Sequence, residues 1–427
     1  MIKYLDCNKG NYLKKLNLFI SKRPRSTKKA QKIVNVILND LKKNGDKALL
    51  KYEKKFSQNL DIKNKKVITR RVSKSLDKKV KSAINLSYKR IFRFHSKQKV
   101  KNFTFKDSLK NNLKYKYLPI DSVGIYVPGG NAAYPSTVLM SAIPAKIAGV
   151  KRIVMVNPKI NGKQNPAVLY AAKKCGINEI YSIGGVQSIG ALTFGTKKIK
   201  KVDKIVGPGN IYVATAKKQV FGEVGVDMVA GPSEITIVAD RHSNPEWIAA
   251  DLIAQAEHDV NSQCILIAKD YNTIFKVRNS INKQIKSLPR KKIALTSLKK
   301  NGIFIKSNSE HKIAELINII APEHLELNLK NYNKIVNKIK NTGSICLGKY
   351  SAMAITDYSA GPNHILPTNS SSKFSSGLSV FDFYKRISIV NLSKKGIETI
   401  GEHAIKLANY EGLAGHAKSI EIRIRSK

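Results

Sequence analysis

Two short stretches hold the side chains best suited to moving protons or gripping a cation. They are Ala254-Gln255-Ala256-Glu257-His258-Asp259 and Ala321-Pro322-Glu323-His324-Leu325-Glu326-Leu327. In the first, Gln255 and His258 stand three residues apart, so on a helix they share one face. An amide oxygen and an imidazole nitrogen placed that way can converge on one ion. Alone the pair is a weak signal, because glutamine and histidine near a helix end are more often surface or capping groups. Asp357, in Ala354-Ile355-Thr356-Asp357-Tyr358, and His416, in a glycine-flanked tail, are the candidates to join them. In the second stretch Glu323 and His324 are adjacent. Neighbours in an extended segment point to opposite faces, so the two would serve separate steps. A histidine near neutral pKa can take a proton from an alcohol, and a glutamate can activate a water. For an isolated Glu-His pair, an exposed glutamate beside a packed histidine is the commoner arrangement.

The elements that must position these groups follow from periodicity. Gln31 to Phe56 carries apolar residues at helical spacing on either side of Gly45, which predicts two helices meeting at a glycine stop. Residues 1 to about 115 read as mainly helical, and the basic run from Lys63 to Lys101 reads as a solvated face. From Ser122 onward, β-branched runs alternate with helical segments: Val123–Val127, Arg152–Val156, Glu179–Ile183, Lys204–Val206, Glu234–Val238 and Cys264–Ile267 are strand-like. Further strand-like segments lie at Gly302–Lys306, His324–Leu327 and Gly343–Leu347, and residues 368–379 read as a loop. Such alternation predicts an α/β protein with two parallel-sheet units. Glycine turns follow three of the strands, at Pro128-Gly129-Gly130, Gly184-Gly185 and Gly207-Pro208-Gly209. Turns at the carboxyl ends of parallel strands can offer helix N–H groups to phosphates, although for any single one plain turn geometry suffices. None fits G-x-G-x-x-G, so the usual dinucleotide fingerprint is missing.

Size and charge narrow the class. The chain of 427 residues has room for two or three cores, and its 42 % apolar content is that of a globular protein. No apolar run is long enough to span a membrane, and the N-terminus lacks the order of a secretion signal, which predicts a cytoplasmic protein with no membrane partner. The four cysteines are widely spaced without a C-x-x-C pair, so a disulfide framework is not expected. The net charge of +48 comes mostly from lysine spread along the chain, alongside abundant Asn and Ile. That distribution fits compositional drift better than a nucleic-acid reader, which would favour arginine and a recognisable binding motif. No specific nucleic-acid partner is expected.

At these residues the sequence closely resembles histidinol dehydrogenase. The matching segments are Gly124-Ile-Tyr-Val-Pro-Gly-Gly-Asn-Ala-Ala-Tyr-Pro-Ser-Thr-Val-Leu-Met140, Gly207-Pro-Gly-Asn-Ile-Tyr-Val-Ala214, Ala230-Gly-Pro-Ser-Glu234, Gln255–Asp259, Ala321–Glu326, Asp357-Tyr-Ser-Ala-Gly-Pro-Asn-His-Ile-Leu-Pro367 and Glu411-Gly-Leu-Ala-Gly-His416. Gly45-Asp46-Lys47-Ala48-Leu49 with Tyr52 and Phe56 fits as well. The resemblance implies one zinc ion (Zn2+) per subunit held by Gln255, His258, Asp357 and His416, with L-histidinol also on the metal. It makes His324 the base for the alcohol proton and Glu323 the residue that activates water. Substrate contacts would come from Ser233, His324 and Glu411 together with the metal ligands, and NAD contacts from Tyr126, Gln187 and Asn210, while His364 would face the pocket. The implied reaction takes L-histidinol through a retained aldehyde to L-histidine, reducing two NAD to two NADH. A related metal-dependent NAD dehydrogenase acting on another small primary alcohol is the alternative.

The same resemblance implies two incomplete Rossmann-like parallel-sheet domains with helical N-terminal and C-terminal extensions. Residues 1–22 would form an N-terminal helical segment, and 23–125 plus 234–377 the larger domain with most site residues. Residues 126–233 would bind NAD, and 378–427 would be a tail exchanged across a homodimer, so that Glu411 and His416 complete the partner's site.

Overall fold

The computed structural model describes residues 2–23, 27–59, 76–129, 133–159 and 162–425. Part of the basic run from Lys63, and Gly130 with Asn131 of the first glycine turn, lie outside the described residues. The chain divides into two compact units, Met1–Gln98 with Asp121–Asp382, and Lys99–Ile120 with Phe383–Lys427.

Along the chain the strands are β1 (Lys3–Asp6), β2 (Phe103–Lys106), β3 (Asn112–Pro119), β4 (Ser122–Tyr126), β5 (Arg152–Val156), β6 (Glu179–Tyr181), β7 (Lys204–Val206), β8 (Gly225–Val226), β9 (Glu234–Ala239), β10 (Gln263–Ala268), β11 (Gly302–Lys306), β12 (His324–Asn328), β13 (Ser344–Leu347) and β14 (Tyr384–Asn391). In the first unit they build two parallel sheets, a five-stranded one ordered β6-β5-β4-β7-β8 and a six-stranded one ordered β1-β11-β10-β9-β12-β13. Number the strands of each from its own first crossover strand, β4 or β9, and both read 3-2-1-4-5, the six-stranded sheet having β1 added at its β11 edge. That is the doubly wound order without its last strand. The repeat that the sequence does not display is therefore topological, and the α/β expectation with two incomplete Rossmann-like sheets holds.

Strands covered on both faces read as continuous apolar runs. In β10, Cys264, Leu266 and Ala268 join the core on one face while Ile265 and Ile267 join the core on the other. The helix Lys28–Ser57 adds Val34, Ile37, Leu38, Leu41, Leu49 and Tyr52 to the core beneath the five-stranded sheet. Its expected break at Gly45 is present: φ 48° and ψ −120° there interrupt the helical path.

The mainly helical reading of the first 115 residues holds, with helices Tyr12–Ser21, Lys28–Ser57 and Lys78–His95, but β1, β2 and the start of β3 also lie there and that reading omits them. β1 is a four-residue strand with one buried side chain, Leu5, and every residue of β2 is exposed, so neither shows an alternating pattern. The second unit holds β14-β3-β2 as an antiparallel sheet, with helices Lys394–Tyr410 and Ala414–Arg425. All four cysteines are free and buried. Among the described residues no helix is long and apolar enough to cross a membrane.

Candidate active site

The helix Pro245–Ala256 runs back from the carboxyl end of β9 to the amino end of the six-stranded sheet. Its start is well signalled: Asn244 caps it, Pro245 opens it, and Glu246 complements the dipole. Its last turn delivers Gln255, which is 1 % exposed, and His258 follows just beyond the helix on the exposed side. The Gln255 Oε1 is buried with no hydrogen-bond partner among the described residues. A buried amide oxygen left so is costly and calls for a ligand.

Glu323 and His324 meet at this same edge. The helix Glu310–Ile320 ends in Ala321 at φ 46° and ψ 63°, a left-handed residue, before Pro322 leads to Glu323 and β12. Opposite faces were expected for the pair. Instead the His324 Nε2 lies 3.8 Å from the Glu323 Oε1, because Glu323 precedes the strand and is not bound to its alternation. The other carboxylate oxygen accepts the Glu234 N–H at 2.8 Å. Glu234 is in turn fixed by Arg23 at 3.3 Å and by the Asn369 N–H at 2.9 Å, and Arg23 also donates to Gln263 and to the Ile320 carbonyl. The His324 Nδ1 stands 3.1 Å from the Ser344 Oγ at the start of β13.

Burial controls the charges here. It pushes the Glu323 carboxyl well above the ordinary carboxylate range, against the pull of the Glu234 amide. It pushes His324 down to about 3, helped by the imidazoles of His364 and His258, so His324 rests neutral with a ring nitrogen able to take a proton. Asp357 rises to about 7, also through burial. It closes the short turn Met353–Thr356, and its carbonyl contacts the His364 Nδ1 at 2.8 Å. Asn363 ties this segment to the first helix of the five-stranded part by donating to the Met140 carbonyl at 2.7 Å.

Glu323 and His324 stand at the amino end of β12, between β9 and β13, with Ser233 immediately ahead of β9; His258 and His364 act electrostatically on His324 and Asp357 on Glu323, while Gln255 lies on the helix that leads into β10. Open parallel sheets ordinarily bind ligands at their carboxyl ends. Glu411, at the end of the helix Lys394–Tyr410, and His416, in the first turn of Ala414–Arg425, belong to the second unit and are exposed there. Among the described residues no three His, Cys, Asp or Glu side chains sit together closely enough to hold a metal. Of the four expected ligands only His258 and Asp357 are of those types within the first unit, since Gln255 is an amide.

The expected dinucleotide residues lie at the carboxyl ends of the five-stranded sheet. Tyr126 ends β4, and its hydroxyl accepts the Gly185 N–H at 3.3 Å. Asn210 caps the helix Ile211–Val220, accepting the N–H groups of Tyr212 and Val213 at 3.1 Å each. Gly207, at φ 114° against the Tyr126 carbonyl, leaves no room for a side chain. Both its backbone groups are held by a buried ion pair: Lys217 donates to its carbonyl at 2.9 Å, and Asp227, in contact with Lys217, accepts its N–H at 2.8 Å. Gln187, 2 % exposed, donates to Glu53 at 2.8 Å, and the same Glu53 oxygen accepts the Gly184 N–H at 3.0 Å. Sequence reading passed over Glu53. The signal was present, a carboxylate one turn beyond Leu49 on the apolar stripe of its helix.

The histidinol dehydrogenase family matches residues 20–424. A histidinol dehydrogenase of Pelagibacter ubique is 63% identical over 428 residues, covering 100% of both chains, and one of Hydrogenovibrio crunogenus is 42% identical over 99% of each. The crystal structure of histidinol dehydrogenase from Elizabethkingia anophelis superposes with a TM-score of 0.92 at 38% identity, covering 99% of this chain and 98% of that one. With sequence and fold agreeing from end to end, the chain belongs to the histidinol dehydrogenase family.

Proposed function

We propose that the protein oxidises L-histidinol to L-histidine in histidine biosynthesis, reducing two NAD to two NADH and keeping the intermediate aldehyde bound. The observation that carries this is the buried Glu323–His324 pair, which offers two proton acceptors on one side of a water-excluding edge. His324, neutral at rest, takes the hydroxyl proton as hydride leaves the carbinol carbon. Glu323 then draws a proton from water as its oxygen adds to the aldehyde; once His324 has passed its first proton to solvent, it takes a hydroxyl proton from the hydrate as the second hydride leaves to a second NAD, and the acid formed loses its remaining proton to solvent as the carboxylate. Burial keeps the reactive aldehyde from solvent between the steps.

Gln255, His258 and Asp357 would hold a zinc ion, joined by His416 from the tail of a homodimer. The unpaired buried oxygen of Gln255 fits that role. When bound, zinc supplies a fixed positive charge that orients the amino alcohol. Ser233 and Glu411 would position substrate. Tyr126, Gln187 and Asn210 would contact NAD within a domain spanning 126–233. The test is a product count with metal analysis. Two NADH per L-histidinol and about one zinc per chain are expected, whereas a single NADH, or equal rates on other small primary alcohols, overturns the assignment.

A further inference from the structure

We propose that Glu53 is a positioning residue for the dinucleotide, acting through the side chain of Gln187; this rests on the NAD reading above. Glu53 is fully buried on the helix Lys28–Ser57, whose core face lies under the five-stranded sheet. One of its oxygens accepts from the Gln187 Nε2 and from the Gly184 backbone together. Only the nitrogen of an amide can donate, so this contact fixes which way round the Gln187 amide stands. Its oxygen is left on the Gly185 side, where a β-carbon at that glycine would come within 2.9 Å of it. Gly185, at φ 61°, is therefore the residue that lets the amide sit there. What Gln187 presents to a ligand is an acceptor, suited to a ribose hydroxyl and unsuited to a phosphate.

The same carboxylate decides the use of the turn. Gly184 and Gly185 lead into the helix Gly185–Phe194, whose first N–H groups are ordinarily an anion site. Here the Gly184 N–H is committed to Glu53 and the Gly185 N–H to the Tyr126 hydroxyl. Glu53 thereby occupies the N–H group where a dinucleotide phosphate would otherwise dock, and the turn contributes hydroxyl recognition through Gln187.

The test measures NAD binding by calorimetry without histidinol, and KM and kcat for both substrates, on the full-length protein. Glu53→Met keeps the volume and removes the acceptor. It should weaken NAD binding and raise its KM at least tenfold, with histidinol KM and zinc content within twofold of wild type. Glu53→Gln retains the accepting oxygen and should restore NAD affinity to within about threefold. Should Glu53→Met fail to fold, Gln187→Glu sets two carboxylates together, and adding Glu53→Gln to it should recover NAD affinity. Unchanged NAD affinity in a folded Glu53→Met, or no recovery in the double variant, overturns the proposal alone. Absence of NAD binding by the wild-type protein overturns the dinucleotide reading and this proposal with it.

Discussion

Glu323 and His324 are neighbours in sequence with separable proposed duties, so their variants should fail differently. Glu323→Gln keeps an oxygen for the Glu234 N–H, and the local structure should survive. An amide cannot take a proton from water, while the first oxidation needs only His324. Mixing this variant with excess NAD and L-histidinol should release one NADH per site in a rapid phase and then stall, as read by stopped-flow absorbance. Two NADH at the wild-type rate would sink the role given to Glu323. His324→Asn should instead slow the first phase, by about two to four orders of magnitude for loss of a general base. Its zinc content should stay near wild type, and loss of zinc would reassign His324 to the metal. The sequence displayed both residues, but not their approach to 3.8 Å, which depends on a left-handed alanine that no local pattern announces.

At the scale of elements, what could be read was what repeats locally. The Gly45 break, the capped helix Pro245–Ala256 and the all-apolar strands each carry their own signal. β2 and the hold of Lys217 and Asp227 on Gly207 do not, because one has no buried face and the other joins residues ten apart through tertiary folding. Lysine near a helix end reads as surface, yet Lys217 is 2 % exposed. Lys217→Met leaves Asp227 buried without its cation and should cost about 3–5 kcal/mol in urea unfolding. Lys217→Met with Asp227→Asn, which removes the buried charge but keeps an oxygen for the Gly207 N–H, should regain part of that stability. A single variant as stable as wild type would show that the pair contributes nothing. The helix Lys78–His95 adds a pH term. Burial holds its last residue, His95, below the ordinary histidine pKa of 6.5, overriding the favourable helix end. The unfolded chain then binds the extra proton, so this contribution is complete above about pH 6.5 and is lost as pH falls through the lower folded value. His95→Phe should flatten the decline in stability between pH 6.5 and 5, and an unchanged slope would assign the decline to other groups.

At the scale of the whole molecule, the second unit asks for a partner. Val390, Leu407 and Tyr410 are 65 %, 64 % and 93 % exposed, and this is the unit that carries Glu411 and His416. Two chains of net charge +48 repel, so a dimer covering these side chains should tighten as salt is raised from low ionic strength. Subunit mixing tests whether the tail completes the other chain's site. On the proposed ligand set, His258→Ala would remove a ligand from the first unit and His416→Ala one from the tail, and each variant homodimer should be inactive. Consider the heterodimer of the two variants. If tails are exchanged, one site combines both lesions, while the other takes His258 from one chain and His416 from the other and is whole. Separately tagged subunits, co-expressed and purified through both tags, should then show about half of wild-type turnover, as two-fold symmetry requires. If each tail instead serves its own chain, every site carries one lesion and the heterodimer stays silent. The two variant homodimers, mixed after purification, are the control for exchange during assay, and a heterodimer no more active than they are would rule out the shared site.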